Sequence, residues 1–78
     1  MKIHRKYNGK YIYSSEDLYL YMSERAKKYY SQADISLWQD DNGTIYEFDG
    51  DNATRGAMLM MYEDVDALNT EFESRLSD

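Results

Sequence analysis

Asn-Gly occurs twice in this chain, at Asn8-Gly9 and Asn42-Gly43, and each copy limits what the flanking segments can become. A two-residue type I′ turn needs positive φ at both central positions, which Asn followed by Gly accepts at least cost. β-branched and aromatic residues flank both copies. Residues 2–7 with 10–13, and 35–41 with 44–49, are therefore expected to form two hairpins. Alternation along the first places Lys2, His4 and Lys6 on one face and Ile3, Arg5 and Tyr7 on the other. In the second, a two-residue loop pairs Leu37 with Phe48 and Gln39 with Tyr46. Ile35, Leu37, Tyr46 and Phe48 then share one core face, with Trp38 and Ile45 on the opposite face. A three-residue loop would set Leu37 opposite Glu47 and split that apolar set, so the two-residue register is favoured.

Between the hairpins, Ser14 can cap a helix and Asp17 completes a capping-box-like pattern three residues on. Leu18, Met22, Ala26 and Tyr29 recur at helical spacing. Lys27 and Lys28 lie in what would be the last turn, where the macrodipole favours cations. One helix over roughly 15–30 is expected. After the second hairpin, Ala57, Met61, Val65, Leu68, Phe72 and Leu76 also recur at helical spacing. One helix over 53–76 is favoured, capped by Asp51 or Asn52. Gly56 in its interior and Arg55 near its start oppose it. The alternative is a strand over 55–62 followed by a shorter helix over 63–76. The fold class expected is α+β, in the order ββ-α-ββ-α. One domain carries a small antiparallel sheet of two hairpins with two helices on one face. Leu37, Phe48, Leu68 and Phe72 are expected to be buried together.

The chain has 78 residues and no Cys, which removes disulfides and Cys-based zinc sites. A single His, His4, removes a His cluster. The basic start is followed by no apolar run of the signal-peptide kind, and no stretch approaches the ~20 apolar residues that span a bilayer. The expected location is cytoplasmic, in the host cytosol if the chain is phage-encoded, and the sequon Asn52-Ala53-Thr54 is read as chance. Two oxygen-rich stretches, 40–43 and 49–52, fail as calcium loops. Counting from Asp40, position 6 is Ile45 and position 12 is Asp51; counting from Asp51, position 12 is Tyr62. An EF-hand requires Gly and Glu there. Both stretches read as turns. No P-loop, nucleotide-binding Gly motif or nucleophile elbow occurs. No cofactor, metal or catalytic role is expected.

Charge is split along the chain. Residues 1–33 hold seven Lys and Arg against three acids, a net of +4; residues 34–78 hold twelve acids against Arg55 and Arg75, a net of −10. Ten of these twelve acids are the candidate binding residues: Asp40, Asp41, Glu47, Asp49 and Asp51 on the second hairpin, and Glu63, Asp64, Asp66, Glu71 and Glu73 beyond it. They form either a solvated face or a patch aimed at a basic cleft. A helix with a carboxylate every three or four residues offers one charge per ~5 Å. B-DNA offers one per ~1.7 Å, so such a helix is sparser but sufficient to occupy several Arg and Lys sites. The basic half interleaves Lys2, Arg5, Lys6 and Lys10 with Tyr11 and Tyr13. That pattern can stack and clamp single-stranded nucleic acid. The opposing reading is that Tyr fills a half-buried surface. The overall −6 repels nucleic acid at range, which makes direct binding the weaker option.

Small size, absence of Cys and Pro, the −10 half and the hairpin-plus-helix layout give a general character that resembles the small acidic inhibitor proteins of phages and mobile elements, of anti-CRISPR or DNA-mimic type. The resemblance implies a non-enzymatic protein that blocks a host nuclease or CRISPR effector by placing its acidic half in the partner's basic, nucleic-acid-binding cleft. The basic first 33 residues depart from a pure DNA mimic and point to a second face, open to a homodimer or another subunit. Two alternatives stay open: a self-associating regulatory module, and a nucleic-acid binder using the N-terminal hairpin.

Overall fold

A computed structural model describes residues 4–14, 17–50 and 58–76. Its elements are β1 (His4–Tyr7), β2 (Lys10–Ser14), α1 (Asp17–Leu20), α2 (Glu24–Gln32), β3 (Ile35–Gln39), β4 (Ile45–Asp49), β5 (Met58–Tyr62) and α3 (Val65–Arg75). The α+β class is as expected. All five strands form one antiparallel sheet in the order β1-β2-β3-β4-β5.

The first Asn-Gly behaves as its chemistry dictates. Asn8 and Gly9 both have positive φ, 50° and 81°, and Tyr7 pairs with Lys10 across the turn. The second does not. Gln39 pairs with Ile45, Trp38 with Tyr46 and Leu37 with Glu47, the register of a three-residue loop. Only Gly43 has positive φ there. Asp40 is the cause. Its Oδ1 accepts from the amides of Asn42 (2.9 Å) and Thr44 (3.0 Å), and its Oδ2 accepts from the Tyr46 hydroxyl (2.7 Å). The backbone closes with Gly43 N donating to Asp40 O and Asp40 N to Thr44 O. Three bonds to one carboxylate outweigh the intrinsic preference of Asn-Gly for a two-residue turn.

That register splits the expected apolar set between two faces, and both are buried. On the helix-bearing side Leu37, Ile45 and Tyr62 pack with Leu18, Met22, Ala26, Leu68 and Phe72. On the other side Ile12, Trp38, Tyr46 and Phe48 form a second cluster, against which Tyr7 and Met58 pack. Tyr7 meets the Phe48 ring edge-on, with centroids 5.1 Å apart at 87°. Leu37, Phe48, Leu68 and Phe72 are all buried, but Phe48 lies across the sheet from the other three.

The helix expected over 15–30 is broken. α1 is a single turn, and Ser23 starts α2 afresh. The Ser23 hydroxyl accepts from Ala26 N (3.1 Å) and donates to Glu73, while its amide is held by Asn69 Oδ1 (2.9 Å). A Ser that caps cannot also continue the helix before it. Leu18, Met22 and Ala26 still reach one core, which is why their spacing read as helical. Residues 15–16, and any capping there, lie outside the described residues. Ser14 ends β2 and caps no described helix.

The expected helix over 53–76 is likewise corrected, and the strand alternative holds for 58–62. β5 pairs along β4, with Tyr62 opposite Ile45 and Met60 opposite Glu47, and a register shift leaves Leu59 as an extra residue. Asp64, extended at φ −155°, caps α3 by accepting from Ala67 N (2.9 Å). Asp51 and Asn52 lie outside the described residues. An open sheet edge beside Ile45, Tyr46 and Phe48 overrides the helix propensity of Met and Leu.

Candidate functional site

The acidic surface read from the sequence is divided by the fold. Glu47 is not on the surface at all. It sits in β4 between Tyr46 and Phe48 and is 0% exposed. Its Oε1 accepts from the Tyr62 hydroxyl (2.6 Å) and its Oε2 from Arg75 Nη1 (2.7 Å). Arg75 also donates to Glu71 Oε2 (2.8 Å) and to the Tyr62 hydroxyl (3.1 Å), and its guanidinium lies over the rings of Phe72 and Tyr29. The Glu47 bond raises the Arg75 guanidinium further above its ordinary value, against the effect of burial. Burial, then the hydrogen bond to Glu47 and its charge, push the Tyr62 hydroxyl far up. Glu47 and Arg75 thus tie β4 to α3 inside the protein.

Asp40 is buried within its turn. Burial alone would raise its carboxyl. Hydrogen bonds from Tyr46, Thr44 and Asn42, with Lys10 nearby, outweigh that and hold it below the ordinary 3.8. Its partner Tyr46 is pushed up to about 12 by burial and by Asp40. Glu71 and Glu73 are half-buried and engaged by Arg75 and Ser23. Asp51 lies outside the described residues.

Asp41, Asp49, Glu63, Asp64 and Asp66 remain exposed. Register separates them further. Ile45 opposite Tyr62 brings the Asp41 turn to the same end of the sheet as Glu63 and Asp64, with Asp66 following in the first turn of α3. Asp49 lies at the far end of β4. The charge of Asp41 raises the neighbouring Tyr13 hydroxyl above 10.0, aided by burial and a hydrogen bond. Next to this acidic corner runs β5, an uncharged outer strand. Leu59, Met60 and Met61 are 51, 38 and 50% exposed; the helical spacing over 53–76 includes only Met61 of the three, so the sequence pattern gives no sign of this strand.

The basic alternative is not gathered either. Lys6 pairs with Tyr11 and Arg5 with Ile12. Lys6, Tyr11 and Tyr13 therefore share one face of the hairpin while Arg5 and Lys10 occupy the other. Lys6 lies 5.9 Å from the Tyr11 ring centroid. Lys2 lies outside the described residues. Among the described residues no group of three or more His, Cys, Asp or Glu is placed to hold a metal ion, and no helix is long and apolar enough to cross a membrane.

One concave site occurs where β2 leaves the sheet. β2 pairs with β3 only at Tyr13–Gln39 and Ser14–Trp38, and α1 and α2 close the gap beside the first half of β3. The resulting cleft holds about 470 Å³, walled by Tyr19, Tyr30, Leu37 and Trp38, with Asp34 at its margin. Among its described lining residues no hydrogen bond joins a Ser hydroxyl to a carboxylate. No protein-family model, no curated protein and no solved structure matches this chain.

Proposed function

We propose that this protein is a non-enzymatic binding protein that occupies a basic cleft of a nucleic-acid-handling protein, through the corner where β5 runs into α3. The observation that carries this reading is the adjacency of exposed Leu59, Met60 and Met61 to exposed Glu63, Asp64 and Asp66. Protein interfaces combine an apolar centre with a polar rim. A patch of anions alone serves solubility; anions beside an uncovered apolar strand offer a partner both desolvation energy and electrostatic steering. The −6 net charge favours a basic target. The inhibitory role against a host nuclease or CRISPR effector follows from the same chemistry, since a ligand seated in that cleft excludes nucleic acid.

The test is capture from nuclease-treated bacterial lysate, comparing wild type with Glu63→Lys/Asp66→Lys, with Leu59→Ser/Met61→Ser, and with Lys6→Glu/Lys10→Glu. The expected result is a nucleic-acid-binding protein retained by wild type, lost with either corner variant and released by added DNA. Capture that survives both corner variants but fails with the hairpin variant would move the site to β1 and β2 and end the acidic-corner reading.

A further inference from the structure

The cleft beside β3 combines features that none of the acidic surface shares. Its helix-side wall is aromatic: the Tyr19 and Tyr30 ring centroids lie 6.3 Å apart. Trp38, the one Trp of the chain, lines it from β3, with its indole packed in the cluster on the other face of the sheet. Its volume falls within the range of roughly 300–1,000 Å³ that small-ligand sites occupy. Ser14 and Ser36 are among its lining residues. Ser36 already accepts from Trp38 Nε1 (3.1 Å), which leaves its own O–H and one lone pair unused in that bond. At the margin sits the Asp34 carboxylate. The Asp34 backbone oxygen accepts from Gly50 N, which fixes the residue, but its side chain makes no hydrogen bond or ion pair to any described residue. A carboxylate so placed favours a cation, and aromatic faces favour a flat one.

We infer that this cleft receives the side chain of an arginine presented by a partner polypeptide, with the guanidinium against the tyrosine faces and its N–H groups donated to Asp34. Arginine fits better than lysine because its planar, weakly hydrated head stacks on rings and forks onto a carboxylate, whereas an ammonium keeps its water. Tyrosine rings in this protein already accept cations: Arg75 lies 5.7 Å from the Tyr29 centroid and Lys27 lies 5.2 Å from that of Tyr19. Lys27 also lies 3.6 Å from Glu24, so its charge at the rim is partly offset. The inference extends the reading of a basic target and names a second point of contact. It does not depend on the β5 corner.

The test is a titration of the intact chain with the peptide acetyl-Ala-Arg-Ala-amide and with its citrulline counterpart, which keeps the shape and lacks the charge. Trp38 fluorescence and the backbone amide shifts of Asp34, Ser36 and Gly50 report the cleft. The arginine peptide is expected to give a saturable response in both. The citrulline peptide should bind at least about five-fold more weakly, from loss of a charge-assisted bond. Asp34→Asn should bring the arginine peptide to the citrulline level with an unchanged melting temperature. Equal binding of the two peptides, no effect of Asp34→Asn, or shifts confined to 63–66 would each overturn the inference. Glu63→Lys/Asp66→Lys should leave the titration intact, so failure of the corner reading and failure of this one are separately visible.

Discussion

Replacing Arg75 by Met isolates the energetics of the buried Glu47 carboxylate. The side chain keeps much of its length over Phe72 but leaves a fully buried anion with one remaining donor, the Tyr62 hydroxyl. Breaking a buried ion pair from one side typically costs about 3–5 kcal/mol. The protein has an escape, which is to protonate Glu47. From an ordinary Glu value near 4.3, that costs about 3.7 kcal/mol at pH 7 and about 1 kcal/mol at pH 5. The charge penalty in Arg75→Met is therefore capped near those values and shrinks as pH falls. The sign follows from linkage: without Arg75 the folded-state carboxyl is raised above its unfolded value, so the mutant gains relative stability as the solution becomes more acidic. Glu47→Gln in the same background removes the charge while keeping an oxygen for Tyr62, and should recover at least about 1.5 kcal/mol at pH 7, a cautious share of that cap. Urea unfolding at pH 7 and pH 5 measures all of this. A deficit in Arg75→Met that is pH-independent, or a double mutant no better than the single, would show that Arg75 acts by packing alone and that the charge on Glu47 is not what it compensates.

Asp40→Asn should destabilise the protein by about 1–3 kcal/mol at pH 7, since charge-assisted bonds to the carboxylate are weakened. Because the folded carboxyl lies below 3.8, the wild type should lose this contribution only below about pH 4, whereas the variant should show a flatter acid limb in the same window. Phe48→Ala should cost about 3–5 kcal/mol, and Tyr7→Ala should follow it at smaller size, because both belong to the sheet face opposite the helices. Near-wild-type melting of Phe48→Ala would contradict the second cluster.

The sequence was read well wherever local chemistry acts alone. Asn8-Gly9 turns as expected, and no described side chain takes its backbone amides. Asn42-Gly43 carries the same dipeptide, but Asp40 two residues before it takes the amides that the simpler turn would have left open. The two-residue register requires one buried face; β4 is buried on both, so alternation carries no information there. The break at Ser23 is hidden in the sequence because Leu18, Met22 and Ala26 keep their spacing through it. Met58–Tyr62 has helical composition, and only the vacant edge of β4, a tertiary fact, makes it a strand. Glu47 was counted with its acidic neighbours, yet the apolar residues on both sides and the distant Arg75 were the available signal. Asp41, Glu63, Asp64 and Asp66 were legible as surface anions; that Asp49 stands apart from them was not.

The strands lie in space in the order in which they occur along the chain. No strand must therefore wait for a later one before it can pair, and the longest separation between neighbours in the sheet is the helical excursion between β2 and β3. Loop closure is short for most of the ladder, the condition under which small domains fold quickly. The slow step is then expected at the contacts that span the longest stretches of chain: those that join Asn69, Glu73 and the C-cap Leu76 of α3 back to Ser23 and Arg25. A sheet that forms locally and is locked last by one helix presents the apolar β5 edge to other chains before α3 docks, and this is the window in which intermolecular pairing at that edge competes with folding.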